Sequence, residues 1–200
     1  MSSRVIFRDF RESDISTVFQ YKNDVGLNAM IVGKYAPFSM EDAAKWVHGC
    51  MRSDPTYRFW AIATNDEHQD LVGWLGIAKI DEYNKSVDLH SIFIGHPAFH
   101  DGLAWIEAYL FVMKYVFDTL HMHRLWGTRR VDHLQTMAIG EALYWRQDGT
   151  LRDAKWDGSK FIDISIHSLL HEEYFEHLAN GDYEIRKVRR RIAKYLLNHI

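Results

Sequence analysis

Asp88 and His90 stand two residues apart in Ser86–Ile94, a stretch rich in Val, Leu, Ile and Phe. On a strand, residues i and i+2 project to the same face, which would set a carboxylate beside an imidazole. Each favours the charged form of the other, and the pair would poise His90 near neutrality as a proton acceptor. The same two residues could equally form an ion pair on a solvated strand face. Other reactive groups are dispersed. Of the twelve histidines, His121, His123 and His133 flank one expected strand. They lack a nearby Cys or a His-Glu-x-x-His spacing, so no metal centre is expected. The single cysteine, Cys50, excludes a disulfide framework within the chain and falls on an expected helix as a small packing residue.

The elements that would position these groups alternate along the chain. A strand is expected over Val5–Arg8, then a helix capped by Ser13 or Asp14 and running to about Tyr21, with Ile15, Val18 and Phe19 on one face. A loop through Gly26 and Gly33 leads to Pro37-Phe38-Ser39. There Ser39 is the N-cap of a second helix, Asp42 its third residue, and Ala43, Trp46 and Val47 its apolar side. Strands over Phe59–Thr64 and Leu71–Ile80 form a hairpin about the polar turn Asn65–His68, and Ser86–Gly95 is a third strand. A long helix opens at Gly102 and reaches Leu120. Arg124–Val131 is the next strand, and Leu134 to about Trp145 the next helix. Asp148-Gly149 and Asp157-Gly158 bracket a short strand paired with Phe161–Leu169, and His171–Leu178 is a short helix. This order predicts an α/β (α+β) chain: a mixed, mostly antiparallel central sheet with helices on both faces.

The organisation expected is one domain over residues 1–180, followed by a basic amphipathic helix in 181–200. Ile185, Val188, Ile192, Tyr195 and Leu196 lie on one side of that helix, and Arg186, Lys187, Arg189, Arg190, Arg191 and Lys194 occupy the rest. It is either a docked helix with a solvated basic face or a contact for RNA or an acidic protein. The whole chain has a net charge of −3, with histidine neutral, which speaks against general affinity for nucleic acid or anionic membranes. Its 47% hydrophobic content suits an ordinary core. Aromatics, at 14%, are frequent enough to fill that core, line a pocket or build an interface between two copies. No signal-peptide pattern and no apolar run of spanning length occur, so a cytoplasmic protein with no membrane contact is expected.

Leu71-Val72-Gly73-Trp74-Leu75-Gly76-Ile77, then a polar turn, then a strand ending Ile94-Gly95-His96-Pro97, resembles the GNAT N-acetyltransferases, and most of all the branch acting on ribosomal-protein N-termini and small amines. Pro37-Phe38-Ser39 with Trp46, Leu151-Arg152, and Asp157-Gly158 with Phe161-Ile162-Asp163 extend the resemblance over roughly residues 4–178. It implies acetyl transfer from acetyl-CoA to an amine. Ile92, Phe93 and Ile94 would offer strand backbone to the pantetheine arm. His100, Gly102, Leu103 and Ala104 would lie at the helix start that receives the pyrophosphate, where free N–H groups and the helix dipole favour anions. Asp88 or His90 would take the proton of the attacking amine.

Departures from the family pattern at two places qualify this. His100 stands where Arg or Gln is usual, Gly102-Leu103-Ala104 replaces Gly-x-Gly, and Asp101 brings negative charge toward the phosphates beside a bulky Trp105. In the helix after Val131, His133 replaces an Asn that bonds the pantetheine, and Gly140 replaces the Tyr that protonates the leaving thiolate. A shift of one turn would make Tyr144 that acid. Two functions are therefore expected as alternatives: an acetyl-CoA-dependent N-acyltransferase, or a catalytically inactive relative that binds a protein or nucleic acid. An acyl-carrier protein as donor would be a third reading.

Overall fold

The computed structural model describes residues 3–31, 36–52 and 54–199. They form a mixed α/β fold on a largely antiparallel sheet, as the element order predicts. Contacts group the chain into two compact units: Met1–Ile80 with His90–Ala108, and Asp81–Leu89 with Tyr109–Ile200.

In the first unit, β1 (Val5–Arg8) pairs antiparallel with β2 (Arg58–Thr64), from Val5↔Thr64 to Arg8↔Ala61. In turn, β2 pairs antiparallel with β3 (Leu71–Asp81), and β4 (Ser86–Ile94) is the next neighbour in the sheet. The helices are α1 (Ile15–Asn23), the short α2 (Val25–Asn28) and α3 (Met40–Met51). Ser39 caps α3 as expected: its Oγ accepts from Asp42 N at 3.1 Å, while Asp42 accepts from Ser39 N at 3.0 Å. Two free helix-end donors are satisfied reciprocally. Ala43 and Val47, one turn apart, are fully buried against Phe10, Val18, Ala61, Leu71, Trp74 and Phe93. The loop expected after α1 instead contains α2, because the Asp24 carboxylate accepts from Leu27 N at 2.9 Å and nucleates a turn. Gly33 lies outside the described residues.

Asp14 is committed elsewhere than at the start of α1. Arg8 grips it with two hydrogen bonds of 2.8 Å, and its Oδ2 also accepts from Arg11 N, so a three-residue 3-10 turn precedes the helix.

In the second unit, β4 pairs in parallel with β5 (Arg124–Arg130), from Ser86↔Arg124 to Asp88↔Trp126. Antiparallel pairing continues from β5 to β7 (Phe161–Leu170) and from β7 to β6 (Arg146–Trp156). Here β6 is longer than expected. Asp148-Gly149 sits in a bulge of β6 rather than a turn, with the register shifting between Gln147 and Gly149, so only Asp157-Gly158 turns the chain. The long helix α4 (Leu103–Lys114) begins in the first unit and ends here in a π-helical turn, Tyr115–Thr119. It is followed by α5 (Leu134–Ala142), α6 (His171–Ala179) and α7 (Ile185–His199). Fully buried Val112, Met113, Val116, Phe117, Met122, Leu125, Leu143 and Leu169 make the core. Each such side chain contributes about 1.5–3 kcal/mol over leaving it in water.

In α7, Val188 is buried and Arg191 is structural, donating to Ala142 O at 2.8 Å and to Asp182 O at 2.6 Å. Lys187 donates to Gly181 O, while Arg186, Arg189, Arg190 and Lys194 are exposed. No helix among the described residues is long and apolar enough to cross a membrane.

Candidate active site

In the first unit, the end of β4 and the turn into α4 bring His90, Ile92, Phe93, Ile94, His100, Gly102, Leu103 and Ala104 into one short stretch of structure. Phe93 is buried and stacks on Trp74 at 4.1 Å, which locks the end of the strand. His90 is exposed, its ring edge-on to Phe59 at 6.0 Å. Beyond Ile94, Gly95 N and His96 N both donate to Val72 O, at 2.8 and 3.1 Å, and Pro97–Phe99 make a 3-10 turn. Gly102 then takes φ +84°, a conformation that a side chain disfavours, and α4 starts at Leu103.

The turn is internally satisfied, in a way that spacing did not suggest. His100 Nε2 lies 3.2 Å from Ile94 O, so the imidazole folds back on the strand end. Asp101 Oδ1 accepts from Leu103 N at 3.1 Å and thus caps α4. Its other oxygen forms a salt bridge with Arg4, whose guanidinium also lies 4.7 Å from the centre of the Phe99 ring and donates to Ala98 O. The charge expected to repel phosphate is therefore paired, and the helix start carries its own carboxylate. Glu107, one turn into α4, accepts from Arg4 N and Val5 N at 3.2 and 3.3 Å and fixes the β1 end that supplies Arg4. Arg4 and Glu107 lie about a hundred residues apart in sequence, beyond the reach of any local pattern.

Another feature of this unit escaped the sequence reading. The ammonium of Lys22 lies 4.9 Å from the ring centres of both Trp46 and Trp74 and 5.8 Å from that of Phe38. Burial there lowers the pKa of Lys22 and pushes that of Cys50 on α3 up to about 12. Cys50 is accordingly a packing thiol, held far from the thiolate state.

The remaining candidates belong to the second unit. Asp88 is buried on β4 opposite Trp126. His133 is half-buried at the start of α5, and desolvation, foremost, lowers its pKa; its Nδ1 has no hydrogen-bond partner among the described residues. The helix expected to carry Tyr144 stops at Ala142. Tyr144 N donates to Glu141 O and Trp145 N to Gly140 O, which leaves Tyr144 at φ +64°, a cap position that usually favours glycine. Its ring pays for that conformation by stacking on His177 at 3.6 Å, with Arg191 4.8 Å from its centre. Gly140 also has a local reason. A Cβ there would meet Arg129 Nη1 at 2.0 Å, because the guanidinium lies against this turn of α5.

Residues 4–145 match the acetyltransferase (GNAT) domain. The chain belongs to the GNAT acetyltransferase family. An uncharacterized N-acetyltransferase, p20, of Bacillus licheniformis is 22% identical over 177 residues, covering 86% of this chain and 96% of p20. Among solved structures, the spermidine N-acetyltransferase of Vibrio cholerae, in complex with CoA and spermine, superposes with a TM-score of 0.75. It is 14% identical and covers 87% of this chain and 99% of its own. A GNAT-family acetyltransferase of Bacillus anthracis gives a TM-score of 0.71 at 20% identity, covering 86% and 98%. At these identities the likeness of the solved structures is one of fold.

Proposed function

We propose that this GNAT-family member is an N-acyltransferase that moves an acetyl group from acetyl-CoA to an amine of a small molecule or a protein N-terminus. The observation that carries the reading is the GNAT domain match over residues 4–145, which spans β4, the glycine-opened turn and α4. In this reading the backbone of Ile92, Phe93 and Ile94 holds the pantetheine arm. Leu103 and Ala104, behind the open Gly102, present N–H groups to phosphate. For the pyrophosphate to bind, Asp101 must swing off Leu103 N, and Arg4, released from it, becomes the cation that meets the phosphates. His100, released from Ile94 O, frees a strand carbonyl for the pantetheine amide.

The acceptor amine must be neutral to attack the thioester carbon. Asp88 or His90 takes its proton. The electron pair of the broken C–S bond leaves on sulfur, and Tyr144 could protonate that sulfur only after leaving its stack on His177. A polyamine fits as acceptor because one such relative was crystallised with spermine. A protein N-terminus fits the sequence resemblance to the ribosomal-protein branch.

Two observations favour a second reading, a non-catalytic binding module. His100 and Asp101 already fill the strand end and the helix start, and α7 exposes Arg186, Arg189, Arg190 and Lys194 to an RNA or acidic protein partner. Calorimetric titration with acetyl-CoA separates the two. Dissociation at roughly micromolar concentration, about −8 kcal/mol, is expected of the enzyme. No heat at a ligand concentration of about 1 mM, where only binding weaker than about −4 kcal/mol would escape detection, would leave the binding module standing.

A further inference from the structure

Arg129 is a buried cation that the proposed chemistry has not used. It lies on β5 beneath α5 and is 7% exposed, and its Nη1 has no hydrogen-bond partner among the described residues. It forms no salt bridge with any of them either. Trp145, 4% exposed, presents its ring 5.0 Å from the guanidinium carbon, and its indole N–H is likewise unpartnered. On the facing strand β7, Ser165 pairs with Arg129 in register, and its hydroxyl donates to Arg129 O at 3.3 Å. Ser165 Oγ also lies 3.7 Å from Met137 Sδ and 2.9 Å from His167 Nε2, and which member of the serine–histidine pair donates depends on the imidazole tautomer. Nδ1 of His167 has no hydrogen-bond partner among the described residues either.

Other charges around this cluster do not neutralise Arg129. Asp148, which raises the pKa of His167, is engaged by Arg124 at 2.6 Å and Ser168 at 3.0 Å. A buried guanidinium without a counter-charge is strongly unfavourable and persists where something outside the chain answers it. Gly140 preserves the room it needs, since a Cβ there would lie only 2.0 Å from Nη1.

We propose that Arg129, with the indole N–H of Trp145, receives the singly charged end of a ligand, a thiolate or a carboxylate. This rests on the acetyl-transfer reading as follows. Attack of the amine nitrogen forms the C–N bond and breaks the C–S bond, the electron pair departs on sulfur, and the amine proton goes to a base. A thiolate therefore arises in the reaction. A guanidinium stays charged across the working pH range and holds that anion by hydrogen bonding without having to give up a proton.

The test uses the full chain and two variants, Arg129→Met and Arg129→Lys. Coenzyme A binding is measured by calorimetry, and the pKa of its bound thiol by the ultraviolet absorbance of the thiolate. In a parallel arm, melting is followed in acetate against chloride at equal ionic strength. Wild type is expected to lower the bound-thiol pKa by about one unit, a tenfold gain in thiolate. Arg129→Met is expected to abolish that shift and to melt higher than wild type without ligand, since an unanswered charge has gone. Equal thiol pKa in wild type and Arg129→Met, with equal response to acetate, overturns the proposal while leaving the acetyl-transfer reading intact. Coenzyme A binding to neither protein sinks the acetyl-transfer reading, and acetate then decides. Stabilisation of wild type but not of Arg129→Met keeps the anion site, and stabilisation of neither removes it. Should Arg129→Met fail to fold, Arg129→Lys serves in its place: it retains the charge but loses the fork, and an unchanged thiol pKa in its complex counts against a guanidinium role.

Discussion

Gly73 is the point where the fold and the donor strand depend on one missing side chain. A Cβ at this position of β3 would lie 1.9 Å from Phe93 O, 2.9 Å from Phe93 C and 3.0 Å from Ile94 Cα, all backbone atoms of β4. Backbone cannot rotate away as a side-chain tip can, so Gly73→Ala must push the strand end back by about 1 Å or more to reach an ordinary C···O contact. Overpacking of this kind costs about 1–3 kcal/mol. The displaced segment also carries the bonds from Gly95 N and His96 N to Val72 O, each worth about 1 kcal/mol. A loss of about 2–4 kcal/mol is therefore expected, a large share of the roughly 5–15 kcal/mol that holds a domain together. Urea denaturation monitored by tryptophan fluorescence would show it as a lower midpoint at unchanged slope, and melting should fall by roughly 5–15 °C. Gly49→Ala is the control. Its Cβ meets nothing within 4 Å on α3, so the helix should gain about 0.5–1 kcal/mol. A Gly73→Ala protein within about 0.5 kcal/mol of wild type would refute this close approach of β3 and β4, because the midpoint shift expected from a loss of about 2–4 kcal/mol is readily resolved at constant slope.

Other substitutions probe separate parts of the molecule. Ser39→Ala removes one half of the α3 capping box and should cost about 1 kcal/mol in the same urea experiment. Asp14→Asn leaves Arg8, only 10% exposed at its side chain, without its counter-charge, and a loss of about 3–5 kcal/mol is expected. His167, whose pKa burial holds down to about 4 against an ordinary 6.5, is neutral in the fold while the unfolded chain takes up a proton. Stability should therefore rise with pH from about 4 to 6.5 and be lost as pH falls through that window; a pH series of melts on His167→Gln should lack that limb. Cys50, its pKa pushed up to about 12, should react with a thiol reagent at neutral pH far more slowly than after unfolding in urea, and equal rates would contradict its packed position.

Local chemistry settled much of this protein. The Ser39–Asp42 capping box, the β1 strand at Val5–Arg8, the glycine opening α4 and the order of the elements follow from propensity, periodicity and caps, which act within a few residues. The GNAT resemblance in Leu71–Ile77 and Ile94–Pro97 likewise lay in the sequence, and the domain match over 4–145 agrees with it. Tertiary structure decided what spacing cannot reach. Arg4 meets Asp101 and turns an expected repulsion into a capped, paired carboxylate, and Glu107 fixes the strand end that brings Arg4 there. The bulge at Asp148-Gly149 depends on β7 across the sheet, and the left-handed Tyr144 depends on His177 and Arg191 in later helices. Gly140 is explained by the Arg129 guanidinium packed against it. In each case a charge, an aromatic face or a close approach is supplied by a residue distant in sequence, and only the folded chain brings the two together.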